Sequence, residues 1–435
     1  MNREERIAKA LAVSTDTRAF ELGQHNLAKA PGIFRRFFGG KKALIVADSN
    51  TWRVAGKEVF GSFEDEGVPV DAFIFEEDEF HADWEHVEML DKALDSTGAV
   101  AVSVGSGTIN DLCKLCSHHH SQSYLTIPTA ASVDGYTSFG ASITRDNSKQ
   151  TFECPAPVAV LADIAVIAAA PKEMTAAGYA DLAAKVPAGG EWMIADLVGS
   201  EPIIPDAWHI LQDDLDELLS DPEGVAAGEP GAVGALFEGL ILSGFAMQAA
   251  RSSRPASCCD HLFSHILDMT HHRYKKKFVS HGFQVAIGTL IMCRVFEKFF
   301  EVDVDAIDID ACVAAWPSLE QEQLRALDLF KDFPAPRLGF DSITKKYSDA
   351  AGVRKDLEAL KKAWPVLKPA LRAQVWPYAK MKECFRIVGA PYEPEMIGVT
   401  PGWISSVFPI VQLMRYRYNL LDLAKRGGFY NKIVF

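Results

Sequence analysis

The chain has 435 residues, 48% apolar and 23% charged, enough to bury more than one core and too apolar to be mainly disordered. Its 44 Lys and Arg stand against 58 Asp and Glu, and the formal charge of -14 repels nucleic acid and anionic membrane unless basic groups cluster locally. The one such cluster, "HHRYKKK" (His271 to Lys277), reads as a solvated loop.

The amino terminus, "MNREERIAKALAV", is charged from its second residue. The apolar run "APVAVLADIAVIAAA" is short and carries Asp163, so neither a secretory signal nor a membrane span is expected. Eight cysteines without a regular framework read as reduced thiols, and a cytoplasmic location is the expectation. Within "CKLC", Cys113 and Cys116 are expected as core thiols on a helix, with His118 to His120 capping its end.

From about residue 41 to 170, short apolar runs alternate with helical patterns. Strands are predicted at Lys42 to Asp48, Pro69 to Phe75, about 100 to 105, and Tyr124 to Thr129. Helices fall between them, in "HADWEHVEMLDKALDS" and "TINDLCKLCSH". This alternation implies a parallel sheet with helices on both faces. After "AAPKEMTAAGYADLAAK" long apolar helical windows follow one another, such as "GAVGALFEGLILSGFAMQAARS" and "GFQVAIGTLIMCRVFEKFF". The expected organisation is an α/β, Rossmann-like dinucleotide-binding domain over residues 1–171 and an all-helical metal- and substrate-binding domain over 172–435.

"AVSVGSGTINDLCK" places Gly105 and Gly107 between a strand and a helix, where backbone N–H groups attract a pyrophosphate. Asn110 occupies the place of the third glycine of the dinucleotide fingerprint. Asp48, at the end of the first predicted strand, suits the ribose hydroxyls and disfavours a 2′-phosphate, unless it only caps "SNTWRVAG". "IPTAASVDGYTSFGASI" is a loop of small donors with one carboxylate, Asp134, at the strand end of the same sheet.

His261 and His265 share one helix face in "SRPASCCDHLFSHILDM", His281 opens the next apolar helix, and Asp181 lies in the apolar "GYADLAAK". Each alone is more often a hydrogen-bonded core or surface residue. Together, a carboxylate and two imidazoles in apolar surroundings suggest pairing or a divalent cation with an open position.

Taken in order, "GSGTINDLCK", "PTAASVDGYTS", "GYADLAAK", "SRPASCCDHLFSH", "SHGFQVAIGT" and "RYRYNLLDLAK" resemble the metal-dependent alcohol dehydrogenase and dehydroquinate synthase-like superfamily, in its sn-glycerol-1-phosphate dehydrogenase branch of bacterial type. The resemblance implies the dehydroquinate synthase-like fold, an NAD or NADP cofactor, and zinc, nickel or iron on Asp181, His261 and His281. It implies that Asp134, Asp181 and His265 contact a small phosphorylated triose or polyol. It also implies that Asp48, Gly105, Ser106, Gly107, Thr108, Ile109, Thr129, Ala130, Ala131, Ser132 and Ser138 line the dinucleotide. Homo-oligomers are common among such relatives. Two departures stand beside the expected substrate site: Val133, where archaeal members often carry His, and "CCD" (Cys258 to Asp260) in place of Gly-Ser-Glu.

The implied reaction is hydride transfer between nicotinamide and dihydroxyacetone phosphate, with the metal as Lewis acid and His265 as donor or relay. Arg273, Lys275, Lys276, Lys277 and Lys185 are the sequence's candidates for the phosphate. Rival readings are a dehydrogenase of an unphosphorylated polyol such as glycerol, a cyclase that restores its NAD within each turnover, and a catalytically idle binding protein.

Overall fold

The computed structural model describes residues 2–77, 80–145 and 148–435. By packing, it divides into two units. The first comprises residues 1–182, 206–253 and 387–389, and the second 183–205, 254–386 and 390–435.

Six parallel strands form the centre of the first unit: β1 (Ala19–Gly23), β2 (Ala43–Asp48), β3 (Val70–Phe75), β4 (Val100–Gly105), β5 (Leu125–Pro128) and, after the antiparallel hairpin of β6 (Ala141–Arg145) and β7 (Ser148–Phe152), β8 (Ala159–Asp163). Their order across the sheet is β1-β8-β5-β4-β2-β3. All five neighbouring pairs are parallel.

Both faces of this sheet are covered, which explains the continuous apolar runs. Within β2, Ile45 joins a core with Phe34, Val59 and Val102, while Leu44 and Val46 join the opposite core with Val87, Leu90 and Cys113. The four predicted strands match β2 to β5. Two more were missed. β1, "AFELG", is a partly exposed edge strand, and β8 lies inside "APVAVLADIAVIAAA", where Asp163 ends the strand and caps the next helix. Asp48 therefore closes the second strand of the sheet and not the first.

The chain passes from β2 outward to β3, then crosses back to β4 on the other side of β2. The topological switch point thus lies between the carboxyl ends of β2 and β4, where open α/β sheets take ligands. Asp48 and Gly105 are the last residues of those two strands.

Cys113 and Cys116 are fully buried, and burial pushes both thiols up, as suits inert core cysteines. At the helix end His119 and the C-cap His120 face Asp91, at 2.7 and 3.4 Å. The helix Pro230–Ala250 also belongs to this unit, and Thr137 Oγ1 donates to its Ile241 carbonyl at 2.8 Å. By length and composition that helix could cross a membrane, a feature the sequence reading passed over, and 83% of its most apolar window is buried.

The second unit is built from helices, including Lys185–Leu197, Cys259–Met269, His281–Phe300 and Ala350–Gln374. "HHRYKKK" forms a short hairpin, Arg273–Tyr274 against Lys277–Phe278, turned by Lys275 and Lys276 at positive φ. The helices Cys259–Met269 and His281–Phe300 pack closely because Gly288 carries no side chain. A Cβ there would stand 2.1 Å from the Asp260 carbonyl oxygen.

Candidate active site

In the first unit, Ser106 is the N-cap of the helix Gly107–His119, and its side chain makes no capping bond. The first-turn N–H groups point to the switch point, where an anionic group would complement them. The following loop is tied to this one, since Thr129 N donates to the Gly105 carbonyl at 3.1 Å. Thr129, Ala130, Ala131, Ser132 and Ser138 are buried. Gly178 lets the helix Lys172–Ala183 press against this loop, for a Cβ would meet the Ala131 carbonyl at 1.9 Å.

Sequence reading missed what fixes the loop. Lys114 is buried, and its ammonium donates to the carbonyls of Gly135, Ser138 and Gly140 at 2.8, 2.8 and 3.0 Å. Burial lowers its pKa, and Asp111 works against that shift. Asn110, in the place of the absent glycine, donates to the Gly135 carbonyl and accepts from Tyr124 Oη. A polar residue there staples the loop to the helix.

Asp48 Oδ1 accepts from the N–H groups of Asn50 and Thr51 at 2.8 and 3.0 Å, so the capping role is real. Asp134 and Asp181 are linked in this unit. The fully buried Asp181 carboxylate accepts from Asp134 N at 3.0 Å, and Ser243 Oγ donates to Asp134 Oδ2 at 2.9 Å.

In the second unit the ring centroids of His261 and His281 are 5.3 Å apart. Each ring is held through Nδ1. His261 Nδ1 is hydrogen-bonded to Asp260 Oδ2, while Asp260 Oδ1 accepts from Cys258 N at 2.9 Å. Ser264 Oγ donates to Gln284 Oε1 at 2.7 Å, which leaves it to accept from His281 Nδ1 at 3.2 Å. Gln284 is held in turn by Asp268 Oδ1 and the Val279 carbonyl. Both imidazoles are therefore oriented by an acceptor at Nδ1, as a metal-binding histidine is. The last residue of "CCD", Asp260, is thus the carboxylate that orients His261.

His265 lies one turn beyond His261. Its Nε2 is 3.2 Å from Arg415 Nη2, which can only donate, so the ring proton of neutral His265 sits on Nδ1. Arg273, Lys275, Lys276 and Lys277 are exposed on their hairpin, and the Arg273 guanidinium lies 4.0 Å from the Phe278 ring centroid. Lys185 is fully buried. A further donor group in this unit, Glu191 with Cys258 and Cys259, is already engaged. The Glu191 carboxylate accepts from Cys259 N and Leu420 N at 2.9 and 3.0 Å, and Arg254 Nη1 donates to Cys258 Sγ at 3.1 Å.

Residues 21–171 match the model of the family described as iron-containing alcohol dehydrogenase. The chain is 34% identical over 272 residues to the glycerol-1-phosphate dehydrogenase [NAD(P)+] of Pyrococcus furiosus, covering 62% of this chain and 76% of the relative. The chain belongs to the glycerol-1-phosphate dehydrogenase family. A relative of the same name from Bacillus licheniformis is 34% identical over 260 residues, 59% of this chain and 65% of the relative. The chain thus spans just under two thirds of that relative's length, and of that from Halalkalibacterium halodurans, at 64%. The fold extends over almost the whole chain. A probable glycerol dehydrogenase from Sinorhizobium meliloti superposes with TM-score 0.63 and 16% identity, over 97% of each chain. Glycerol dehydrogenase from Schizosaccharomyces pombe gives 0.61 and 16%, over 97% of this chain and 89% of that one.

Proposed function

We propose that the protein interconverts dihydroxyacetone phosphate and sn-glycerol 1-phosphate with NAD or NADP, using a divalent cation held by Asp181, His261 and His281. The observation that carries this reading is the pair of neighbouring imidazoles, their ring centroids 5.3 Å apart and each held by an oxygen at Nδ1, the orientation of a metal-binding histidine. The fully buried Asp181 is the carboxylate we assign to the same cation. Two nitrogens and one oxygen suit zinc, nickel or iron and leave a position for a substrate oxygen.

When bound, such a cation polarises a ketone oxygen, and the nicotinamide exchanges hydride with its carbon. The protein's own groups do the rest. Asp48, Gly105, Ser106, Gly107, Thr108, Ile109, Thr129, Ala130, Ala131, Ser132 and Ser138 bind the dinucleotide at the switch point, phosphates against the Gly107–His119 helix start. Asp134, positioned by Ser243, accepts from a substrate hydroxyl, and His265 donates a hydrogen bond from Nδ1 to the substrate oxygen.

The test is turnover of dihydroxyacetone phosphate, followed by the absorbance of the reduced nicotinamide, in wild type, Asp181→Asn and His281→Ala. Both variants are expected to lose activity while still binding the dinucleotide. Activity retained in both would remove the proposed metal site. Turnover of dihydroxyacetone or glycerol alone would favour the unphosphorylated polyol reading.

A further inference from the structure

The substrate assigned above carries a phosphate, and the sequence's basic candidates are exposed hairpin side chains or the buried Lys185. The second unit gathers a different set of cations. Arg254, Arg415 and Arg417 come together where "RYRYN" passes the start of the Cys259–Met269 helix. Arg254 donates to the carbonyls of Glu191 and Tyr418 and lies 3.4 Å from Glu201. Arg417 donates to the Ser257 carbonyl at 2.9 Å and lies 3.7 Å from the same Glu201.

Arg415 differs from both. Its guanidinium is partly buried and meets the neutral His265 ring, and among the described residues no carboxylate pairs with it. Burial, reinforced by the charge of Arg417, lowers its pKa to about 10. Removing a guanidinium from water without a counter-charge is costly, and an anionic ligand is the ordinary compensation. Arg415 and Arg417 also line one narrow recess, with Ser257, Cys258, Leu262 and Asn419. Ser257 and Asn419 add small polar groups to that wall. Arg is the residue suited to fork onto two phosphoryl oxygens.

We infer that Arg415, supported by Arg417, binds the phosphomonoester of the substrate, beside the histidine that contacts its reacting end. The inference rests on the dehydrogenase reading and deepens it. It makes the final "RYRY" segment the determinant of phosphorylated against unphosphorylated substrates.

The experiment compares wild type, Arg415→Lys and Arg415→Met, loaded with metal, on dihydroxyacetone phosphate and on dihydroxyacetone. Inorganic phosphate is added as an anion probe in thermal melting of each protein. Loss of the charge-assisted bonds is expected to cut the preference for the phosphorylated substrate in Arg415→Met by about 10- to 100-fold, mainly through KM. Arg415→Lys should recover part of it. Phosphate should raise the melting temperature of wild type more than that of Arg415→Met. An equal loss on both substrates, or equal stabilisation by phosphate, would overturn the inference and make Arg415 a support for His265. A wild type that acts on dihydroxyacetone and ignores its phosphate would instead overturn the substrate reading, whatever the phosphate melting shows.

Discussion

At His261 and His281, neighbouring side chains orient the rings through Nδ1. Asp260 accepts the Nδ1 proton of His261, so Asp260→Asn should leave the ring in place and weaken its hold. The expected cost is about 10- to 100-fold in metal affinity, read by titration against a competing chelator. Affinity equal to wild type would detach Asp260 from the metal site. Asp48 offers a second test at this scale. Asn is as good an N-cap as Asp, so Asp48→Asn keeps the bonds to Asn50 and Thr51 while removing the charge. Use of NADP relative to NAD should rise, measured as the ratio of the two kcat/KM values. A fixed ratio would leave Asp48 as a cap alone. The imidazoles, Asp181 and the glycine loop stood out as candidates because their residue types are conspicuous in apolar surroundings. Arg415 did not, because an arginine near the chain's end carries no sign of its burial or of its missing counter-charge.

Among the elements, the loop from Thr129 to Gly140 depends on a residue outside it. In "INDLCKLC" a lysine reads as one more solvated cation, yet Lys114 is buried beneath three loop carbonyls. Lys114→Met should cost about 1–3 kcal/mol for each carbonyl left without a donor. The melting temperature should fall and the KM for the dinucleotide should rise. A variant with wild-type stability and KM would show that the loop holds itself. The two helices carrying His261 and His281 depend on Gly288 in the same way. Gly288→Ala would push a methyl group into the Asp260 carbonyl, an overpacking that costs about 1–3 kcal/mol in chemical denaturation. Strands β2, β4 and β5 were readable from sequence because burial on both faces makes them continuously apolar, and the half-buried edge strand β3 because it ends in the apolar run Ala72 to Phe75. β1 was not, since an edge strand of five partly exposed residues lacks that run. β8 was hidden because its apolar residues continue into the helix that Asp163 caps.

For the whole molecule, the order of motifs identified the family, and the sheet order then gave the motifs a common location. Placing Asp48 and Gly105 at the ends of adjacent strands on either side of the switch point required knowledge of pairing that no local pattern contains. The same is true of residues 206–253, which read as part of a helical domain and pack with the sheet. We propose that catalysis needs a cation on Asp181, His261 and His281. That requirement is tested most directly by stripping the protein with a chelator, reloading it with zinc, nickel or iron, and following reduction of dihydroxyacetone phosphate. Activity should disappear with the metal and return with at least one of the three. Stripped protein that turned over as fast as the reloaded form would contradict that requirement.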